Sequence, residues 1–249
     1  MKISIIATAF LSILVISCQK EAVISNSLKQ NLDGITSSAS KTSSSLKTEN
    51  IKDINGNTYK VLSIGNQKWI ASNLNTSKYR NGDPIPEVKD PAIWSQLTTG
   101  AWCYYKNDPA NGLIYGKLYN WYAINDPRGL APIGWHIPSG GEWDTLALHL
   151  GGLAVAGGKM KSTSNLWIAP NVGATNSSGF SALPGGYRAS YGEFLLLGTD
   201  GWWTFNPNYN LGGFKNLTNV NAQINQRNSF GYYNYLLNQS GVSVRLVKN

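Results

Sequence analysis

The stretch Gln19–Asn50 sets the first limit on what this chain can fold into: it has no aromatic residue and is rich in Ser, Thr and Lys. Such a composition cannot bury enough apolar surface to offset the entropy of ordering the chain. Folding is therefore expected from Ile51 onward, with 18–50 as a flexible tether. As a random coil that tether would span on the order of 30 Å. Residues 51–249 are long enough for one domain with a real core. Ahead of the tether, Met1-Lys2 is followed by the nearly all-apolar run Ile3–Ile16. The run is short of the roughly 20 residues a spanning helix needs. It closes on Ser17 and Cys18, so 1–17 reads as a signal peptide with a small residue before the cut.

The order of apolar run, small residue and cysteine resembles the lipobox of bacterial lipoproteins. The resemblance implies cleavage before Cys18 and lipidation of that residue by diacylglyceryl and acyl (palmitate-type) chains. At about 0.8 kcal/mol per buried CH2, several chains anchor stably where one is marginal. Gln19, rather than aspartate, follows the cysteine, which by analogy directs the protein to the outer membrane. "CQKE" is similar to the export tag of surface lipoproteins in the Bacteroidota, so exposure at the cell surface is expected as well. The alternative is an ordinary secreted protein with a cysteine there by chance.

The net charge is +8, and within 51–249 there are 16 Lys/Arg against 10 Asp/Glu with no run of like charges. A nucleic-acid surface should cluster its cations, so no nucleic-acid partner is expected. A thinly basic surface suits acidic polysaccharide better. Once Cys18 is lipidated only Cys103 remains, which leaves no disulfide within the chain and no cysteine-based metal site.

"DINGNTYKVLSIGNQKWIASNL" reads as a small β-meander. Asn55-Gly56 is a hairpin signal, because both central residues of such a turn take positive φ. Asp90 and Pro91 suit the start of a short helix. Leu118, Trp121, Tyr122 and Asn125 fall at helical spacing and end at Asp126-Pro127. In "GWHIPSGGEWDTLALHL", Ser139 and Glu142 form a capping box. Trp143, Leu146, Ala147 and Leu150 then share one face, and Gly151-Gly152 ends the helix. At the C-terminus Val242, Val244 and Leu246 alternate with Ser243, Arg245 and Val247. The expectation is an α+β fold, a single compact domain with short β-strands, two or three helices and long loops.

That same stretch holds both histidines of the chain. His136 and His149 are thirteen residues apart, and two histidines with Glu142 or Asp144 make a poor zinc set. "NPN" at 206–208 lacks the acidic partners calcium wants. No metal and no cofactor is expected. There is no G-x-S-x-G elbow, and Cys103 stands alone. Paired acids for glycoside hydrolysis stay open, because their separation is spatial.

The blocks "DINGNTYKVLSIGNQKWIASNLN", "AWCYYKNDPANGLIYGKLYNWYAINDPRGLAPIGWHIPSGGEWDTL", "LPGGYR", "GWWT" and "SVRLVK" resemble, in order, the Fibrobacter succinogenes major paralogous domain. They cover nearly all of Asp53–Lys248. Members are mostly secreted or lipid-anchored bacterial surface proteins of poorly defined biochemical function. More distantly, the pattern is similar to the formylglycine-generating-enzyme-like branch of C-type-lectin folds. This implies terminal strands that pair and function carried on loops.

The span 202–239 holds ten asparagines in 38 residues. Rigid aromatic area with versatile amides is the chemistry of adaptable recognition surfaces. Candidate ligand-binding residues are Trp202, Trp203, Asn206, Asn208, Tyr209, Asn210, Tyr232, Tyr233, Asn234 and Tyr235. Strand geometry puts Trp202 and Trp203 on opposite sides, so at least one should be buried. Asparagine codons in such loops are also what adenine-directed diversification acts on. The expected role is non-catalytic binding of a glycan or surface protein. The alternatives are a structural envelope component, or a carbohydrate-active or oxidative enzyme.

Overall fold

Residues 49–205, 213–228 and 238–249 are described by a computed structural model, and 49–249 is treated as one unit. The expected signal peptide, the lipidation at Cys18 and the tether up to Thr48 lie outside the described residues. The unit begins at Glu49, two residues before the expected boundary, because the N–H of Val61 donates to the Glu49 carbonyl at 2.8 Å.

Three antiparallel strands follow: β1 (Asn50–Lys52), β2 (Thr58–Ile64) and β3 (Gln67–Ile70). The β1–β2 connection is not the expected two-residue turn. Only Gly56 in it has positive φ, at 84°. Instead Asp53 organises the loop: its Oδ1 accepts the N–H groups of Asn55 at 2.9 Å and Asn57 at 3.0 Å. Tyr59 and Val61 are buried, but the alternation then slips, since Ile64 is buried and Ser63 exposed.

Five α-helices occur among the described residues, more than the two or three expected: α1 (Pro91–Ser95), α2 (Pro109–Tyr115), α3 (Trp121–Ile124), α4 (Gly140–His149) and α5 (Leu153–Met160). The first three have seven residues or fewer. Leu118 is not helical. It sits in β5 (Leu118–Tyr119), paired with β4 (Trp102–Cys103). Asn120 starts α3 by accepting the Ala123 N–H at 3.0 Å. Asp90 likewise accepts the Ile93 N–H at the start of α1.

The first sheet has the order β1-β2-β3-β12-β6, with β6 (Trp135–His136) and β12 (Val247–Lys248) closing it. The second has the order β11-β10-β9-β7-β8: β7 (Gly185–Arg188), β8 (Phe194–Leu197), β9 (Asp200–Phe205), β10 (Gly213–Thr218) and β11 (Asn225–Asn228). The segment 241–247 joins the two. It bonds to Arg188, Tyr119, Trp202, Thr204, Leu74 and Ile70 in turn. Every side chain from Val242 to Val247 is therefore buried, and the expected two-faced strand is replaced by a tail with no solvent side. Against it packs a cluster of Trp69, Trp143, Phe180 and Trp203, with Trp69 and Trp143 ring centres 5.0 Å apart. The architecture is α+β.

Candidate functional site

Of the candidate ligand residues, Trp202 and Trp203 are both buried, where at least one was expected to be. Trp202 packs on Tyr187 with ring centres 5.3 Å apart. Trp203 is 1% exposed and donates from Nε1 to Asn73 Oδ1 at 2.9 Å. Neither indole offers a face to a ligand. Asn206, Asn208, Tyr209 and Asn210, and Tyr232, Tyr233, Asn234 and Tyr235, lie outside the described residues. Their anchor points are described. Gly213 is the register partner of both Phe205 and Asn228. The segments 206–212 and 229–237 therefore leave from neighbouring positions at one end of the second sheet.

The histidine-bearing stretch builds a different arrangement. Ser139 caps α4, accepting the Glu142 N–H at 3.3 Å, while the Glu142 carboxylate takes the Ser139 N–H at 2.8 Å. The same carboxylate meets His136 Nε2 at 2.9 Å, and His136 Nδ1 meets Asn249 Oδ1 at 2.7 Å. His136 thus ties the helix cap to the chain end beside β12. His149 stands at the other end of α4 against Gly65. No cluster of three or more His, Cys, Asp or Glu able to hold a metal occurs among the described residues. Burial pushes the Cys103 thiol up to about 12, so it remains a protonated core group at neutral pH.

The sequence reading missed a set of buried cations held by carbonyls. Arg188 of "LPGGYR" donates to the carbonyls of Gly192, Val88 and Lys89 at 2.9, 2.6 and 2.8 Å. Arg245 of "SVRLV" donates to Asn73 Oδ1 at 2.7 Å and to the carbonyls of Ile70, Phe180 and Ser181. Lys161 reaches the carbonyls of Val172, Thr218 and Asn221. Lys117 reaches the Asn75 carbonyl and the faces of Trp102 and Tyr104. A single cation inside an apolar motif was the available signal.

These amines make stability depend on pH. Burial lowers Lys117 and Lys161 to about 8. An unfolded lysine titrates near 10.4, so from about pH 8 to 10 the unfolded chain binds more protons at both and stability rises with pH. Cys103 opposes this, because its folded thiol keeps a proton that the unfolded one loses above about pH 8.5. Two amines against one thiol leave a net rise. Above about pH 10 the trend reverses, because burial raises Tyr59, Tyr79 and Tyr119 in the fold. Urea unfolding at pH 7, 9 and 11 should show a maximum near the middle value. The Lys117→Met/Lys161→Met variant should lose the rise.

One cleft of about 350 Å3 opens on the surface of the first sheet's β1–β2 end. Its lining comes from three stretches: 52–54, Thr76 with Arg80, and Leu130 with Pro132 and Ile133. These residues are scattered over the sequence, which is why no spacing announced them.

A family model described as the Fibrobacter succinogenes major domain matches residues 62–248. No curated protein and no solved structure matches the chain.

Proposed function

The chain belongs to the Fibrobacter succinogenes major domain family, and from that premise we propose that it is a lipid-anchored outer-membrane protein, displayed at the cell surface, whose domain binds a glycan or a partner protein without catalysis. We read the domain as a variant of the C-type-lectin and formylglycine-generating-enzyme type, with its ligand loops ahead of the final strand. The observation carrying the reading is the shared register of Gly213 with Phe205 and Asn228. It brings the origins of both Asn/Tyr-rich segments together, so 206–212 and 229–237 can contribute to one surface. Tyrosine and asparagine there supply apolar area and hydrogen bonds at low entropic cost. Trp202 and Trp203 are buried in β9, the strand that leads into the first of these segments.

A glycan array and a pull-down from envelope extract, both with the full chain in detergent, test this. The expected result is a specific ligand whose binding falls at least about ten-fold in the Tyr232→Ala/Tyr233→Ala/Tyr235→Ala variant, as loss of aromatic anchors does. No ligand above background would leave a structural envelope role instead. Cys18→Ala should move the protein out of the membrane fraction, and unchanged fractionation would sink the anchor.

A further inference from the structure

We propose that the cleft between the β1–β2 loop and residues 130–133 is a second binding site, one for an acidic sugar held through its ring carboxylate. The cleft carries two cations, Lys52 and Arg80, beside a single carboxylate, that of Asp53. Neither Lys52 nor Arg80 forms an ion pair among the described residues. The surrounding acids are already engaged. Asp53 Oδ1 accepts two backbone N–H groups, and Oδ2 accepts Asn57 Nδ2 at 2.7 Å and the Tyr59 hydroxyl at 2.6 Å. Asp83 and Asp126 both pair with Arg128, at 3.1 and 2.9 Å. The Asp53 carboxylate keeps its charge, but both oxygens are taken up in bracing the loop and it pairs with neither cation, which leaves the lining with a net positive charge.

Arg80 is also aimed. Its N–H donates to the Gly129 carbonyl at 2.8 Å, and its Nε donates to the Ala131 carbonyl at 2.7 Å. The guanidinium lies on the backbone of Gly129, whose φ is 78° and where a Cβ would stand 2.8 Å from Nη2. With Nε fixed, the two Nη groups have no hydrogen-bond partner among the described residues. A guanidinium held this way matches a carboxylate's two oxygens, while a lysine adds an undirected charge.

Apart from Thr76, the uncharged lining is apolar. Leu130, Pro132, Ile133 and Ile54 line the cleft with the cations, and Ile133 is 85% exposed. A bare anion has no use for that surface, whereas a sugar ring presents C–H faces beside its carboxylate. A volume of about 350 Å3 lies at the small end of ligand sites, which suits one or two sugar rings. Because the site is open, its attraction should weaken with salt.

The proposal rests on none of the residues of the Asn/Tyr-rich segments, so its test does not depend on theirs. Trigalacturonate and its methyl ester, identical in ring shape and different in charge, are titrated into the full chain by calorimetry. The expected result is that the acid binds and the ester does not. Arg80→Ala and Lys52→Ala should each weaken the acid about ten-fold or more, as loss of a charged hydrogen bond does. Lys60→Ala, which removes an exposed charge outside the cleft, should change it by less than about two-fold. Lys52 has no side-chain partner among the described residues, so its variant carries the test if Arg80→Ala unfolds. Absence of acid binding, equal binding of the ester, or unchanged affinity in folded Arg80→Ala or Lys52→Ala would overturn the assignment. So would inorganic phosphate competing as well as the sugar, which would mean a bare-anion site. A chain that binds trigalacturonate but no array or envelope ligand through Tyr232–Tyr235 would keep this site and lose the loop reading.

Discussion

Arg245→Ala should destabilise the domain by about 4 kcal/mol or more, combining a large-to-small core change with unpaired buried carbonyls. That is a large part of the roughly 5–15 kcal/mol a domain of this kind holds. The guanidinium is 1% exposed and lies 4.4 Å from the Phe180 ring centre. Its removal would strand the carbonyls of Ile70 and Phe180, which it now satisfies at 2.8 and 3.1 Å. Asn73 Oδ1 would keep only the Trp203 indole donor. Burial lowers the pKa of Arg245, but four oxygen acceptors compensate the charge, and a guanidinium stays protonated where an amine would not. Arg245→Lys should fall between wild type and alanine, because an ammonium has three donors and no planar fork. Urea midpoints check the order. A loss below about 1 kcal/mol for Arg245→Ala would show that the arginine is not what holds residues 70–73 against 180–181.

How much of this was legible in the sequence follows the range of the interactions. The signals at Ser139/Glu142 and Asp90–Pro91 act over three residues, and a linear reading can find them. The Asn55-Gly56 dipeptide was also local, but Asp53 competed for the same backbone N–H groups and reshaped the loop. The tail 241–247 departs from its period-2 pattern because both of its faces are covered by the rest of the fold. Its neighbours come from residues 70–74, 119, 188 and 202–204, and no pattern within the tail encodes them. Arg188 and Arg245 look like surface charges until the carbonyls that surround them are known. The cleft draws on 52–54, 76–80 and 130–133, so it exists only after folding. What the sequence did mark, the Asn/Tyr-rich span, proves to have two buried tryptophans at its start.

Two glycine-to-alanine changes should have opposite signs, and the difference links the core to the proposed binding surface. In a helix the change ordinarily gains about 1 kcal/mol. At Gly141 in α4 a Cβ would meet nothing within 4 Å, so Gly141→Ala should stabilise by about 0.5–1 kcal/mol. At Gly157 in α5 a Cβ would overlap the Gln223 carbonyl and stand 2.8 Å from that of Ala222. Those atoms are backbone and cannot rotate aside. Forcing them apart costs about 1–3 kcal/mol, enough to cancel or outweigh the propensity gain. The local bonds make yielding harder still: the Gly158 N–H donates to the Ala222 carbonyl at 3.0 Å, and Lys161 holds the Asn221 carbonyl at 2.8 Å. Residues 221–223 lead directly into β11, whose end is the origin of segment 229–237. A shift there would move that origin relative to Phe205 and Gly213. Gly157→Ala should therefore lower both the urea midpoint and the affinity for a ligand of the Asn/Tyr-rich segments, while Gly141→Ala raises the midpoint and leaves affinity unchanged. If Gly157→Ala destabilises without touching affinity, the close contact of α5 with 222–223 supports the fold alone, and the segments do not depend on β11 for their placement.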